Sequence, residues 1–203
     1  QVQSVRRAGT EEARAVASGR LLAGVDRATR LVEQLLALAR HDADTRVAAV
    51  AVDLAALARQ AVLGGAAEAQ ARGIRLEEAG DAPVLVHGQP DALAVLLRNL
   101  LDNALRHTPE GGTVRVQAGQ GAGGGAELAV EDSGPGIPPA ERQRVLDRFY
   151  RVPGAPGHGS GLGLAIAQAV ARRHGAQLRV QDSPGLGGAR LVVAWPAASH
   201  PPV

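Results

Sequence analysis

Polar side chains that suit metal or nucleotide binding occur at helical spacing in the middle of the chain. Asn99, Asp102, Asn103 and Arg106 lie at i, i+3, i+4 and i+7, which is one stripe of a helix. Leucines cover the rest of this helix: Leu96, Leu97, Leu100, Leu101 and Leu105. Because asparagine is a poor helix former, two of them one turn apart indicate amide oxygens directed at a nucleotide or a hard cation such as Mg²⁺. A merely polar, solvated face is the alternative.

A carboxylate follows an apolar strand further along the chain. Asp132 begins a turn in which Gly134 and Gly136 flank a proline, a pattern that requires a sharp, closely packed loop. A carboxylate at the end of an apolar strand is partly buried and ready to accept a hydrogen bond, and an adenine 6-amino group is a fitting donor. A simple Asx turn is the alternative for this motif.

Alternating glycines lead into a second helix. Gly157, Gly159, Gly161 and Gly163 precede an apolar helical segment. Bare backbone amides at a helix N-terminus form an anion site that the helix dipole strengthens. The spacing differs from the dinucleotide-binding fingerprint, which also follows a first strand. Alone, such a loop is weak support for phosphate binding.

Two residue types are missing from the composition. The 203-residue chain has no Cys, which excludes a disulfide framework, a thiol nucleophile and metal held by thiolates. All 22 residues counted as Lys or Arg are Arg, which excludes a Walker A loop, the strand lysine of eukaryotic-type kinases and Schiff-base chemistry. Phe, Tyr and Trp occur once each and the net charge is +2, so we expect no nucleic-acid surface.

The elements that must position these motifs are mixed helices and hairpin strands, so we expect an α+β fold with layers of helix and sheet. Strands are predicted over 47–52, 75–77, 84–86, 113–118, 127–131, 177–181 and 189–195, and helices over 53–72, 91–107 and 162–174. Asp53 is placed to cap the first of these helices. The segment rich in Gly, Pro and Arg over 138–159 is expected to form a mobile lid.

The first forty residues have a different pattern. Residues 9–41 follow the apolar rhythm of a bundle helix, whose partner would lie upstream or on another subunit. A helix folded back on the main domain is the alternative. No run of about 18 apolar residues occurs anywhere in the 203 residues, so we expect no membrane contact by this chain. Because the chain starts at Gln1 within this pattern, we interpret it as a piece of a longer protein.

Taken together and in order, these motifs resemble the sensor histidine kinases of bacterial two-component systems, whose catalytic domain belongs to the GHKL ATPase superfamily. NLLDNALRHTP (99–109) is similar to the N box and EDSGPGIP (131–138) to the G1 box. DRFYR (147–151) is similar to the F box and GHGSGLGLAIAQAVARRHG (157–175) to the G2 box. The resemblance implies a GHKL-type α/β sandwich over 47–197, preceded over 1–43 by the second helix of the dimerisation and phosphoacceptor hairpin.

The resemblance also implies roles on the first stripe. Asn103 would ligate Mg²⁺, with Asn99 beside it on the nucleotide face. Asp102 matches the acidic residue that family mechanisms use as a helper base. Arg106 matches a basic residue that reaches the phosphates of ATP, and His107 a ring near the adenine.

The remaining motifs are matched in the same way. Asp132 would read the adenine amine in a pocket shaped by Gly134, Gly136 and Ile137. Phe149 and Arg151 belong to the start of the lid, where an Arg helps to bind phosphate. The G2 loop would cradle the nucleotide through five residues: Gly159, Ser160, Gly161, Leu162 and Gly163.

One part of the family pattern is absent. The phosphoacceptor His of the family lies in an H-[ED]-x-x-[TN]-P box, and the sequence contains none. The segment that begins at His41 matches this box in part but lacks the Pro. We interpret His41 as a residue at the C-terminal end of the helix, where it interacts favourably with the helix dipole. The fragment is therefore expected not to autophosphorylate alone. An anti-sigma-factor serine kinase, an ATP-driven clamp and a non-catalytic dimerisation or nucleotide-sensing module remain alternatives.

The intact protein implied by the resemblance transfers the γ-phosphoryl group of ATP to a His and then to an Asp of a response regulator. It would be a homodimer through its helical region. This segment would be cytoplasmic, with the parent in the bacterial inner membrane.

Overall fold

A computed structural model describes residues 48–80, 82–153 and 160–197. These ranges contain the strands β1 (Val50–Asp53), β2 (Arg75–Ala79), β3 (Leu85–Gly88), β4 (Thr113–Gln120), β5 (Ala126–Asp132), β6 (Gln177–Asp182) and β7 (Ala189–Ala194). The helices are α1 (Leu54–Ala71), α2 (Pro90–His107) and α3 (Gly163–Arg173). The helix predicted over 9–41 and the interpretation of His41 lie outside the described residues.

Five strands form one sheet in the order β2-β4-β5-β7-β6. Only the pair β2–β4 is parallel; the other neighbours are antiparallel, as expected from the hairpins in the sequence. Val114, Val116 and Ala118 alternate along β4 on the buried face, against which the helices pack. The predicted α+β sandwich is confirmed. A separate antiparallel pair joins β1 to β3.

Helix α2 is the middle helix of the layer, with α1 on one side and α3 on the other. This position explains its composition, because a helix enclosed by two helices and a sheet needs apolar residues over most of its circumference. Fully buried leucines form this surface: Leu93, Leu96, Leu97, Leu100 and Leu105. The polar stripe predicted on α2 becomes more exposed toward the end of the helix, from buried Asn99 through half-buried Asp102 and Asn103 to exposed Arg106.

The first helix begins where the sequence predicted it. Asp53 is the N-cap of α1, and its Oδ1 accepts hydrogen bonds from the backbone N–H groups of Ala55 (3.0 Å) and Val84 (3.1 Å). The bond from Val84 is the main cause that lowers the pKa of the Asp53 carboxyl below its ordinary value of 3.8. This one side chain therefore caps α1 and ties it to the residue just before β3.

Apart from small shifts in strand ends, the structure differs from the sequence prediction at His87 and in the segment predicted as a lid. His87 lies in β3 rather than in a turn. The first part of the expected mobile lid forms two short 3₁₀ turns, Pro139–Glu141 and Arg144–Leu146, and is anchored to the body of the domain. Val145 is buried, and the Arg142 guanidinium pairs with Asp182 at the end of β6. Residues 154–159 lie outside the described part. No described helix is long and apolar enough to span a membrane.

Candidate nucleotide-binding site

Helix α2 contacts the start of α3 at a point where the polar stripe of α2 meets the glycine-rich motif that leads into α3. Asn99 is buried, and its Nδ2 donates to the carbonyl of Val95 one turn earlier (2.8 Å). Its Oδ1 faces Gly163, the first residue of α3, where an added Cβ would lie 3.1 Å away. Asn99 itself is therefore not part of a solvated face. Glycine at 163 favours this close approach of the two helices, because any larger residue would press its Cβ against Asn99.

The other members of the stripe are more accessible. Asp102 and Asn103 are half-buried and Arg106 is exposed in the last turn of α2. The side-chain amide of Asn103 makes no hydrogen bond to a described residue. Its amide is thus available to a ligand on the side of α2 that faces away from the leucines.

Asp132 is the last residue of β5 and is only 2% exposed. Its Oδ1 accepts hydrogen bonds from the backbone N–H groups of Gly134 (2.9 Å) and Ala189 (3.2 Å). The first is the bond of an Asx turn; the second comes from β7, 57 residues away. Burial raises the pKa of this carboxyl above its ordinary value, and the two N–H donors and nearby His107 oppose that rise. No described residue is hydrogen-bonded to Oδ2.

Glycines allow the chain to close around this carboxylate. A Cβ at Gly134 would lie 2.6 Å from the carbonyl oxygen of His107, so the turn packs on the end of α2. Gly136 has φ +73°, which favours glycine. Gly188, which the sequence analysis did not single out, is equally constrained, because its Cβ would overlap the backbone and carboxylate oxygens of Asp132. The pair of glycines at 187–188 just before a strand was the available signal.

The loop before α3 is fastened to the F-box segment. Phe149 has φ +65°, its N–H donates to the carbonyl of Gly161 (2.9 Å), and its ring is 71% exposed. Gly161 has φ +68°, and a Cβ there would lie 2.7 Å from the Phe149 carbonyl carbon. Leu162 is buried at the N-cap of α3, and its N–H donates to Ser160 Oγ (3.3 Å). Gly159 lies outside the described residues.

The first turn of α3 presents free donors. The N–H groups of Gly163, Leu164 and Ala165 find no acceptor among the described residues, as geometry dictates for a helix that has no side-chain cap. They point outward from the helix end next to Asn99. Backbone donors and a helix dipole at this position suit an anion.

His107 and the neighbouring cations give the site its charge. Burial lowers the pKa of the His107 imidazole below its ordinary value of 6.5; Arg106 and the exposed Arg151 act in the same direction, and Asp132 opposes them. His107 is therefore held neutral near pH 7. Half-buried Ile137 follows the Asp132 turn, and its carbonyl accepts from Arg142 Nε (3.1 Å).

The three motifs are thus parts of one site, with α2 as their common wall. The carbonyl at the end of α2 contacts Gly134 in the Asp132 turn, and Asn99 in the middle of α2 contacts Gly163 at the start of α3. A buried carboxylate acceptor, the side-chain amides of half-buried Asn103 and buried Asn99, and free helix-terminal N–H groups follow in order along this wall. This arrangement suits an amino-substituted base at one end and phosphates at the other.

Comparison with known proteins identifies the class. The family model for histidine kinase-, DNA gyrase B- and HSP90-like ATPases matches residues 88–199, and the chain belongs to this family. Sensor protein QseC of Salmonella typhimurium is 40% identical over 177 residues, which are 86% of this chain and 38% of QseC. The chain thus spans well under half the length of this relative.

Two solved structures are similar over most of their length. A mycobacterial sensor histidine kinase, MprB, is 36% identical with a TM-score of 0.62, covering 73% of this chain and 97% of that one. The cytoplasmic segment of histidine kinase QseC is 30% identical with a TM-score of 0.59, covering 84% and 93%. By sequence and fold the chain corresponds to the part of these sensor histidine kinases that carries the ATPase-family domain. The relatives do not favour a serine kinase, a clamp or a non-catalytic module.

Proposed function

We propose that this chain binds Mg²⁺–ATP along α2 and presents its γ-phosphoryl group to a histidine supplied by another segment of the kinase. The observation that carries the proposal is the union of Asp132, the α2 stripe and the free N–H groups of α3 in one site. ATP has the chemistry these groups require at both ends, an amine donor on the base and anionic oxygens on the phosphates.

The base end is assigned to the Asp132 turn. Because Gly134 and Ala189 occupy Oδ1, Oδ2 is left to accept from the 6-amino group of adenine. Gly134, Gly136 and Ile137 line the turn that holds the base. His107, kept neutral by burial, presents its ring close to the base without a charge.

The phosphate end is assigned to the start of α3 and to nearby cations. The N–H groups from Gly163 onward bind phosphate oxygens, and Arg106 and Arg151 add positive charge. Phe149 and the loop residues Ser160 to Leu162 lie at this end of the site. Gly159, which lies outside the described residues, is proposed to bind phosphate with them. Positioning and charge stabilisation of this kind are most of what phosphoryl transfer requires.

Mg²⁺ fits the donors present. The described residues hold no group of three or more His, Cys, Asp or Glu side chains that could bind a metal alone. An amide oxygen on a half-buried helix face suits Mg²⁺, which keeps mainly water and phosphate oxygens as ligands. Asn103 would hold the ion, which would neutralise the charge of the phosphates. Asp102 beside it would accept the proton from the N–H nitrogen of the histidine ring while the other, unprotonated ring nitrogen attacks phosphorus.

The wider context is proposed from the relatives. The phosphoryl group would pass from the histidine to an aspartate of a response regulator. Residues 1–43 would form part of a homodimeric helical region, and 47–197 the catalytic domain. The segment would work in the cytoplasm as part of a kinase in the bacterial inner membrane, in line with the cytoplasmic QseC segment.

The test uses γ-labelled ATP. The chain alone should remain unlabelled, and a separately prepared helical hairpin from the same parent, with its own H box, should gain acid-labile label in a concentration-dependent way. His41→Ala serves as the control and should change nothing. Label on His41 in the isolated chain, or no label on the hairpin despite ATP binding, would contradict the proposal.

A further inference from the structure

A second buried carboxylate lies beside Asp132 but on the opposite face of the sheet. Glu131 precedes Asp132 in β5, so its side chain points away from the helices. That side chain is only 8% exposed. Its Oε1 accepts from Arg190 Nε (3.1 Å) and its Oε2 from Ser183 Oγ (2.6 Å). A buried carboxylate requires such partners, so the Ser183 hydroxyl is held firmly.

Ser183 closes the turn that connects β6 to β7. Its Oγ accepts from Leu186 N (3.0 Å) while it donates to Glu131. Its carbonyl accepts from Gly187 N (3.0 Å) and its own N–H donates to the carbonyl of Gly188 (2.8 Å). The turn is therefore fastened at both ends through one residue, which is itself fastened to β5.

The same turn supplies the donors that fix Asp132. Gly188 N–H donates to the backbone carbonyl of Asp132 (3.1 Å), and Ala189 N–H donates to its Oδ1 (3.2 Å). The absence of a side chain at Gly188 lets the turn lie directly against this carboxylate. A shift of the turn would therefore move Ala189 N–H and leave Oδ1 with only the local bond from Gly134 N–H, so that the carboxylate is less firmly oriented.

We propose that Ser183 is a positioning residue for base recognition: anchored on Glu131, it holds the β6–β7 turn so that Ala189 fixes Asp132 with Oδ2 free for an amino-substituted purine. The ligand class is an adenine nucleotide, and the inference rests on the proposed role of Asp132. Ser183 acts through Ala189 and Asp132, not by contact with the nucleotide.

The experiment compares two nucleotides by calorimetry: ATP, and purine riboside triphosphate, which lacks the 6-amino group. Wild type should bind ATP about tenfold or more tightly than the analogue, as expected for one hydrogen bond to a charged acceptor. Ser183→Ala should weaken ATP binding and leave analogue binding nearly unchanged, so that the ratio falls below about threefold. Ser183→Thr, which keeps the hydroxyl, should restore part of the ratio.

Controls separate the outcomes. Gln177→Ala, an exposed change at the start of β6, should keep the wild-type ratio. Equal weakening of both nucleotides by Ser183→Ala, or no change in either, would show that Ser183 only supports the fold and would overturn the inference. If wild type itself fails to prefer ATP over the analogue, the proposed role of Asp132 fails instead.

Discussion

Replacing Asp132 by Asn should separate stability from nucleotide affinity. Asn has nearly the same shape and keeps one oxygen to accept from Gly134 N–H and Ala189 N–H. The change removes the negative charge and places an NH₂ group where Oδ2 lies. That NH₂ group would face the amino group of adenine, so a donor would meet a donor.

Asp132→Asn should affect the stability of the fold and the affinity for nucleotide in opposite directions. Burial raises the pKa of Asp132, which means that the folded protein is penalised for carrying this charge at neutral pH. Asp132→Asn should therefore leave the free energy of unfolding unchanged or raise it. Affinity should fall, because a hydrogen bond to a charged acceptor contributes about 1.5–3 kcal/mol, or about tenfold to 150-fold in Kd.

The stability difference should also depend on pH in one direction. As the pH falls from neutral toward the ordinary value of 3.8, folded Asp132 takes up its proton before the unfolded chain does. Protonation then favours the folded state of wild type. The advantage of Asp132→Asn should therefore shrink as the pH is lowered through this window.

Both quantities are measurable on the same samples. Calorimetry with a non-hydrolysable ATP analogue gives Kd, and urea unfolding can be followed by the fluorescence of Trp195, the single tryptophan, which is buried. Asp91→Asn is the matched control, since Asp91 is an exposed carboxylate in the first turn of α2. It should lose about 0.3–1 kcal/mol of stability through the helix dipole and keep its affinity. Wild-type affinity, or a clear loss of stability, in Asp132→Asn would refute the reasoning.

Three further outcomes are expected. Asn103→Ala should remove most of the Mg²⁺-dependent part of ATP affinity and preserve the affinity measured in EDTA by calorimetry. Gly64→Ala in α1 should raise the free energy of unfolding by about 1 kcal/mol, because the added Cβ would meet no atom within 4 Å. Gly65→Ala should raise it less, because its Cβ would lie 3.0 Å from Leu101 Cδ2, and urea unfolding of both variants measures the difference. Burial lowers the pKa of His107, so as the pH falls the imidazole of the unfolded chain is protonated before that of the folded protein. Lowering the pH through 6.5 should therefore reduce the free energy of unfolding of wild type more than that of His107→Gln.

The sequence predicted most accurately those elements that are determined by interactions between residues close together in the chain. The run of leucines in α2 has a helical period, and Asp53 caps α1 with its own side chain, so α1 and α2 begin within one residue of their predicted starts. Strands such as β4 were found by alternation but extend two residues further than predicted, because strand ends are set by the pairing partner. The anchored turns over 139–146 were missed, since their stability comes from Arg142 and Val145 contacting distant elements.

The site shows the same division between local and long-range causes. The sequence located Asp132 and the glycines near it, because a carboxylate and a turn leave a local pattern. It did not locate Ser183, which bonds to the neighbouring Glu131, or Gly188 and Ala189, which bond to Asp132 itself from more than 50 residues along the chain. Whether Asp132 is only an Asx residue or a base-reading group depends on those distant partners. They occupy Oδ1 and the backbone carbonyl, and so determine which carboxylate oxygen is left to bind a nucleotide.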